Sequence, residues 1–331
     1  MRKPFALLPV ALVCGFFACG DRTGLLVPEP SVDAAADRGP DVAPEREAAV
    51  PVEAGVDVEA EADALPLIDV SFPDVPLVSS CPDAGSTLIY VLTESNDLYS
   101  FYPPTLTFTR IGTIACPTTG GGTPTPFSMA VNRAGIAYTV FSDGELFRVD
   151  TASAACEATG YPPDQEGFST FGMGYVANTA DAGETLFVAE ADAVTGKPSS
   201  MGLASIDTTS LALSFVGPFV PPIPGPELTG TADGSLFAFY TNAVGSGSHI
   251  VEVDRLTGQI VADSPLQVGS PEDAYAFGFW GGVFWVFTSD SPGPAGISQV
   301  TRFDPQTGQE TNPTTMPEVI VGAGVSTCAP Q

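Results

Sequence analysis

The chain runs to 331 residues, of which 44% are hydrophobic, so a sizeable core can be buried; Gly 35 and Pro 32 imply many turns between short strands. Thirty-nine acids against 11 bases leave a net charge of −28. That balance excludes nucleic acid as a partner, because binding it needs a basic footprint.

Arg2 and Lys3 open the chain, followed by an apolar stretch from Phe5 to Phe17 and then Ala18-Cys19-Gly20-Asp21. Charged, apolar and small residues in that order predict a secretory signal peptide over residues 1–19. Interrupted by Pro9 and Gly15, the stretch is shorter than the roughly 20 residues a membrane span requires. Ala18 and Cys19 are similar to the end of a bacterial lipobox, which implies lipid on Cys19 as the new N-terminus and a membrane attachment through that lipid alone. Phe16 and Phe17 depart from the usual Leu and small residue. Cleavage after Gly20, with Ala18 and Gly20 as the small pair, is the alternative and would release the protein.

Residues 20–80 read as a disordered Pro/Ala/Asp/Glu-rich linker. From Asp21 onward they carry 14 acids, 3 bases and no aromatic except Phe72, too little apolar surface to offset the entropy of ordering. A chain of that length reaches roughly 45 Å on flexible-linker scaling, which suits a stalk.

From Cys81 a phrase recurs: Leu98–Tyr102, Leu146–Asp150, Leu203–Asp207, Ile250–Asp254 and Val300–Asp304, with successive ends 48, 57, 47 and 50 residues apart. Each is preceded by a second run rich in β-branched and aromatic residues, such as Leu88–Val91, Ile136–Val140 and Val283–Phe287. Short polar turns such as Ser142-Asp143-Gly144 join the two, as a hairpin requires. The period matches one four-stranded propeller blade. The Asp residues at 207, 254 and 304 begin turns, where a carboxylate accepts backbone N–H groups two residues on.

Ahead of each hairpin lies a segment of small residues, Met129–Val131, Gly172–Gly174, Thr229–Thr231 and Gly278–Trp280, with a last one, Val321–Gly324, near the C-terminus. Innermost propeller strands converge on a narrow axis, where Gly and Ala have a packing reason. The last segment lacks a hairpin and the first hairpin lacks such a segment. Both deficits vanish if the C-terminal strand enters the first blade, giving an all-β, five-bladed β-propeller over residues 81–331. A sixth, irregular blade between Asp150 and Asp207 is the alternative.

Cys81, Cys116, Cys156 and Cys328 allow three pairings, and sequence alone does not choose. In the propeller arrangement Cys81 precedes the first hairpin and Cys328 ends the strand that joins it. A Cys81–Cys328 bridge then locks the ring, leaving Cys116 and Cys156 in the outer parts of adjacent blades. An even count agrees with an oxidising compartment.

The phrases Leu98 to Gly112, Phe171-Gly172-Met173-Gly174-Tyr175 and Ile320 to Cys328 resemble those of secreted β-propeller lipoproteins of myxobacteria and related bacteria. The resemblance covers roughly the last 250 residues and implies a propeller in the cell envelope, as an outer-membrane lipoprotein or a secreted protein. It implies no reaction.

Catalytic signatures are thin. His249 is the single histidine, so neither a histidine-rich metal site nor a nucleophile elbow is visible. Glu166, Glu227, Glu272 with Asp273, and Glu318 lie in the loops that lead into innermost strands, where they are expected to gather at the channel mouth. Such a ring could hold Ca²⁺ or supply an acid and base pair. Tyr175, Phe277, Phe279, Trp280 and Trp285 form a candidate aromatic binding face, or else blade packing. The expected function is a noncatalytic binding or interaction module for a protein, peptide or carbohydrate. A carbohydrate- or lactone-directed hydrolase or lyase is the alternative.

Overall fold

The computed structural model describes Ile68, Cys81 and residues 87–191, 200–242, 247–269, 271, 274–291 and 295–331. The predicted signal, Cys19, the linker apart from Ile68, Glu272 and Asp273 lie outside them. No helix among the described residues is long and apolar enough to cross a membrane.

Among the described residues twenty strands form five antiparallel four-stranded sheets, and the fold is a five-bladed β-propeller. Blade two holds β4 (Pro126–Val131), β5 (Ile136–Phe141), β6 (Leu146–Asp150) and β7 (Cys156–Ala158), innermost to outermost. Blade three holds β8 (Phe171–Ala177), β9 (Glu184–Glu190), β10 (Leu203–Ile206) and β11 (Leu213–Gly217). Blade four follows with β12 (Glu227–Gly230), β13 (Leu236–Thr241), β14 (Ser248–Val253) and β15 (Ile260–Leu266). Blade five has β16 (Ala274–Trp280), β17 (Val283–Ser289), β18 (Ser298–Asp304) and β19 (Gln309–Met316).

Blade one combines both ends of the domain. Its innermost strand is β20 (Ile320–Val325), paired with β1 (Ile89–Thr93), then β2 (Asp97–Tyr102) and β3 (Thr107–Thr113). The C-terminal strand therefore closes the ring, as its small-residue pattern predicts. Cys81 bonds Cys328 and Cys116 bonds Cys156. The first bridge fastens the closing strand, and the second ties the outer parts of blades one and two. The longer interval between Asp150 and Asp207 holds β7, β8, β9 and β10, and among its described residues no sixth sheet forms.

Blade packing explains the composition. The buried apolar residues fall into five clusters, one for each seam between neighbouring blades. The innermost strands touch so closely that side chains are excluded. A Cβ on Gly172 of β8 would lie 2.1 Å from the Pro226 carbonyl oxygen, and one on Gly230 of β12 would lie 2.3 Å from that of Tyr175.

Turn chemistry repeats with the blades. Asp150, Asp207, Asp254 and Asp304 each accept backbone N–H groups from the residues that follow, as in Thr209 N to Asp207 Oδ1 at 2.8 Å and Leu256 N to Asp254 Oδ1 at 2.8 Å. Four residues after each of these Asp positions the chain turns left-handed, at Ala154, Leu211, Gly258 and Gly308. Gly takes that conformation without the steric cost that Ala and Leu bear.

Candidate functional site

Strand direction sorts the loops onto two faces. The short turns between the first and second strands of each blade lie on a lower face, with those between the third and fourth. The long connections between blades lie on an upper face. The two ends of the propeller axis differ.

The lower mouth is covered by the C-terminal residues Ser326–Gln331. Thr327 Oγ donates to Glu184 Oε2 at 3.0 Å in blade three and accepts from Arg133 Nε at 2.7 Å in blade two. Gly281 N of blade five donates to Pro330 O at 2.7 Å, and Ala232 N of blade four donates to Gln331 Oε1 at 3.3 Å. Through Cys328 the tail also holds Cys81, just before blade one. Six residues thus contact all five blades.

Arg133 and Glu184 form the charged part of this cover. Glu184 Oε1 accepts the Arg133 backbone N–H at 2.8 Å, while Arg133 Nη1 donates to the Ala182 carbonyl at 2.7 Å. The guanidinium Nε lies 3.8 Å from Glu184 Oε2. Burial pushes the Glu184 carboxyl above its ordinary range, against the hydrogen bonds from Arg133 and Thr327 and the Arg133 charge.

At the upper mouth the key side chain is Glu227, the first residue of β12. It is only 5% exposed. Ser128 Oγ of β4 donates to its Oε2 at 2.7 Å, and the Met173 backbone N–H of β8 also reaches it. Burial pushes this carboxyl well above the ordinary value, because neither partner brings a positive charge. Beside it, Tyr275 of β16 donates to the Gly225 carbonyl at 2.6 Å. Burial, with Glu227 nearby, raises the phenol as well. Phe279 N of β16 donates to Thr229 Oγ of β12 at 3.3 Å, continuing the polar stitching to blade five. The upper end of the axis therefore carries a buried carboxyl, of raised proton affinity, bonded to blades two and three.

The other predicted carboxylates are placed differently. Glu166 is exposed, in the β7–β8 loop, with a left-handed backbone. Glu318 accepts the hydroxyl hydrogen of Tyr99, whose phenol is pushed up to about 12 by burial and then by Glu318. Among the described residues no three His, Cys, Asp or Glu side chains come close enough to hold a metal ion. Glu166, Glu227 and Glu318 are thus not brought together, and a Ca²⁺ site at this mouth would have to draw on Glu272 and Asp273.

The aromatic candidates serve the seams. Phe277 and Phe279 are each 1% exposed, in the cluster between blades four and five, and Tyr175 is 3% exposed between blades two and three. Tyr175 meets Tyr138 edge-on at 6.0 Å. Trp285 packs against Phe101 in the seam between blades five and one. These four present no face to a ligand. Trp280 is half-buried on the lower rim, where its indole N–H donates to the Thr87 carbonyl.

His249 belongs to the wall of blade four. Its Nδ1 lies 2.9 Å from Asp263 Oδ1, and the ring stacks on Tyr240 with centroids 5.0 Å apart. The contact bridges β14 and β15 as cross-strand packing. Sequence reasoning missed the Arg133–Glu184–Thr327 group and Ser128, since neither set is adjacent in the chain.

No protein-family model matches the chain, and no curated protein sequence does. Among solved structures it is similar to hydrazine synthase of Kuenenia stuttgartiensis, at 12% identity over 72% of this chain and 68% of that one, with a TM-score of 0.36. It is similar also to BamB from Moraxella catarrhalis, at 16% identity over 70% of this chain and 61% of that one, with a TM-score of 0.27. A third is Zg3597, a family 117 glycoside hydrolase of Zobellia galactanivorans, at 10% identity over 70% of this chain and 77% of that one, with a TM-score of 0.42.

Proposed function

We propose that the chain is an exported propeller, lipid-anchored at Cys19, that acts at the cell envelope as a noncatalytic binding module. Its ligand, a protein, peptide or carbohydrate, seats on the upper face. The observation that carries this reading is the asymmetry of the two faces. The lower mouth is filled by residues 326–331, whereas the upper face gathers the long connections 114–125, 159–170 and 218–226. Long loops on a rigid scaffold are where binding residues concentrate.

One observation favours a second reading, a carbohydrate- or lactone-directed hydrolase or lyase. Burial raises the proton affinity of Glu227, the direction a general acid needs. Against it, the carboxyl is 5% exposed and already bonded to Ser128. Glycan and peptide arrays probed with the full chain, alongside hydrolysis assays on the glycans captured, separate the two. The binding module predicts capture without product, unchanged in Glu227→Gln. Product that disappears in Glu227→Gln would establish the enzyme instead.

A further inference from the structure

The predicted linker is not wholly separate from the propeller. Ile68 is 2% exposed and belongs to the cluster that fills the seam between blades four and five, with Phe239, Ile250, Ala262, Phe277 and Phe303. Its backbone N–H donates to Ser264 Oγ of β15 at 3.3 Å, and Ser264 is itself 4% exposed. An apolar side chain in the core and a backbone donor on a buried hydroxyl together make a seat for this residue.

The seam has a reason to need that segment. At three other seams the loop joining the two blades supplies apolar filling: Ile114 and Cys116 between blades one and two, Tyr161 and Phe168 between two and three, and Phe219 and Ile223 between three and four. The connection from blade four to blade five, residues 267–273, offers only Val268. Ile68 provides what this loop lacks.

We propose that the seam between blades four and five is a docking slot for the chain's own N-terminal segment around Ile68. The tether is strapped to the propeller wall there, and Ile68 rather than Cys81 is the point at which the chain leaves the folded domain. The twelve residues between them are then withdrawn from its reach. This inference does not depend on whether Cys19 carries lipid.

Cleavage by an endoprotease that cuts before Asp tests it on the full chain, since Asp63 and Asp69 bracket the segment. A free peptide spanning residues 58–76 gives the unprotected rate of each bond. The Ile68–Asp69 bond of the native chain should be cut at least tenfold more slowly than in the peptide, and the Ala62–Asp63 bond within twofold of it. Ile68→Ser should abolish the protection. Should that variant fail to fold, Ser264→Ala, which removes the acceptor alone, should raise cleavage at Asp69 at least threefold. Equal rates for both bonds in chain and peptide, or protection untouched by either substitution, would overturn the proposal.

Discussion

Ser128 and Glu227 stand 99 positions apart, on blades that are not neighbours, yet the Ser128 hydroxyl donates to the Glu227 carboxyl at 2.7 Å. The bond spans the innermost strand of blade three, whose Met173 N–H joins it. It ties the innermost strands of blades two, three and four together and leaves a carboxyl in the protein interior without a cation.

That carboxyl makes stability fall as pH rises. Its proton affinity is higher in the folded than in the unfolded chain, where Glu titrates near about 4.3. Its contribution is therefore fully present below that value and is lost as pH climbs toward the raised folded value. Glu227→Gln should match the wild type in urea unfolding near pH 4 and exceed it at pH 7, the gap widening by at most about 1.4 kcal/mol per pH unit. A gap of the opposite sign would show the carboxylate to be stabilised in place.

The lower cover should behave as a coupled unit. Arg133→Met leaves Glu184 without its cation and should cost about 2 kcal/mol, by the penalty for breaking a largely buried pair. Adding Glu184→Gln should recover more than half of that loss, which a double-mutant cycle reads directly. Additive losses would separate the two residues.

Close approach at the axis makes Gly172 irreplaceable. With a Cβ 2.1 Å from the Pro226 carbonyl and 2.7 Å from Glu227 Cα, Gly172→Ala forces the inner strands of blades three and four apart. Loss of about 3 kcal/mol or more is expected, in the upper range for overpacked cores. Gly121, with nothing within 4 Å, should tolerate Ala within about 0.5 kcal/mol.

Disulfide removal should follow loop length. Cys81 and Cys328 are 247 residues apart, Cys116 and Cys156 only 40. In the chain-entropy treatment the first bridge contributes about 5.5 kcal/mol and the second about 4. The paired Cys→Ala variants should unfold at lower denaturant in that order. Equal or reversed midpoints would mean the ring stays closed without its covalent lock.

Much of the architecture was legible because it repeats. Five hairpins, their Asp turns and the small-residue segments announce the blades, and the unpaired segment at Val321–Gly324 announces how the ring closes. The mouths were not legible, because their chemistry depends on which turns face one another across the axis. Glu227 reads as a rim carboxylate until Ser128 and Met173 are seen around it. Phe277 and Phe279 read as a possible binding face until β16 is set against blade four. Ile68 had a faint signal in Leu65-Pro66-Leu67-Ile68, the most apolar stretch near an acidic tract, and none for the seam that receives it.

The closed ring is the premise of everything above, and peptide mapping of the unreduced protein tests it most directly. Digestion should yield a peptide pair joined through Cys81 and Cys328 and a second joined through Cys116 and Cys156, with no free thiol among the four. Cys81 joined to Cys116 or Cys156, or Cys328 left reduced, would contradict closure by the C-terminal strand.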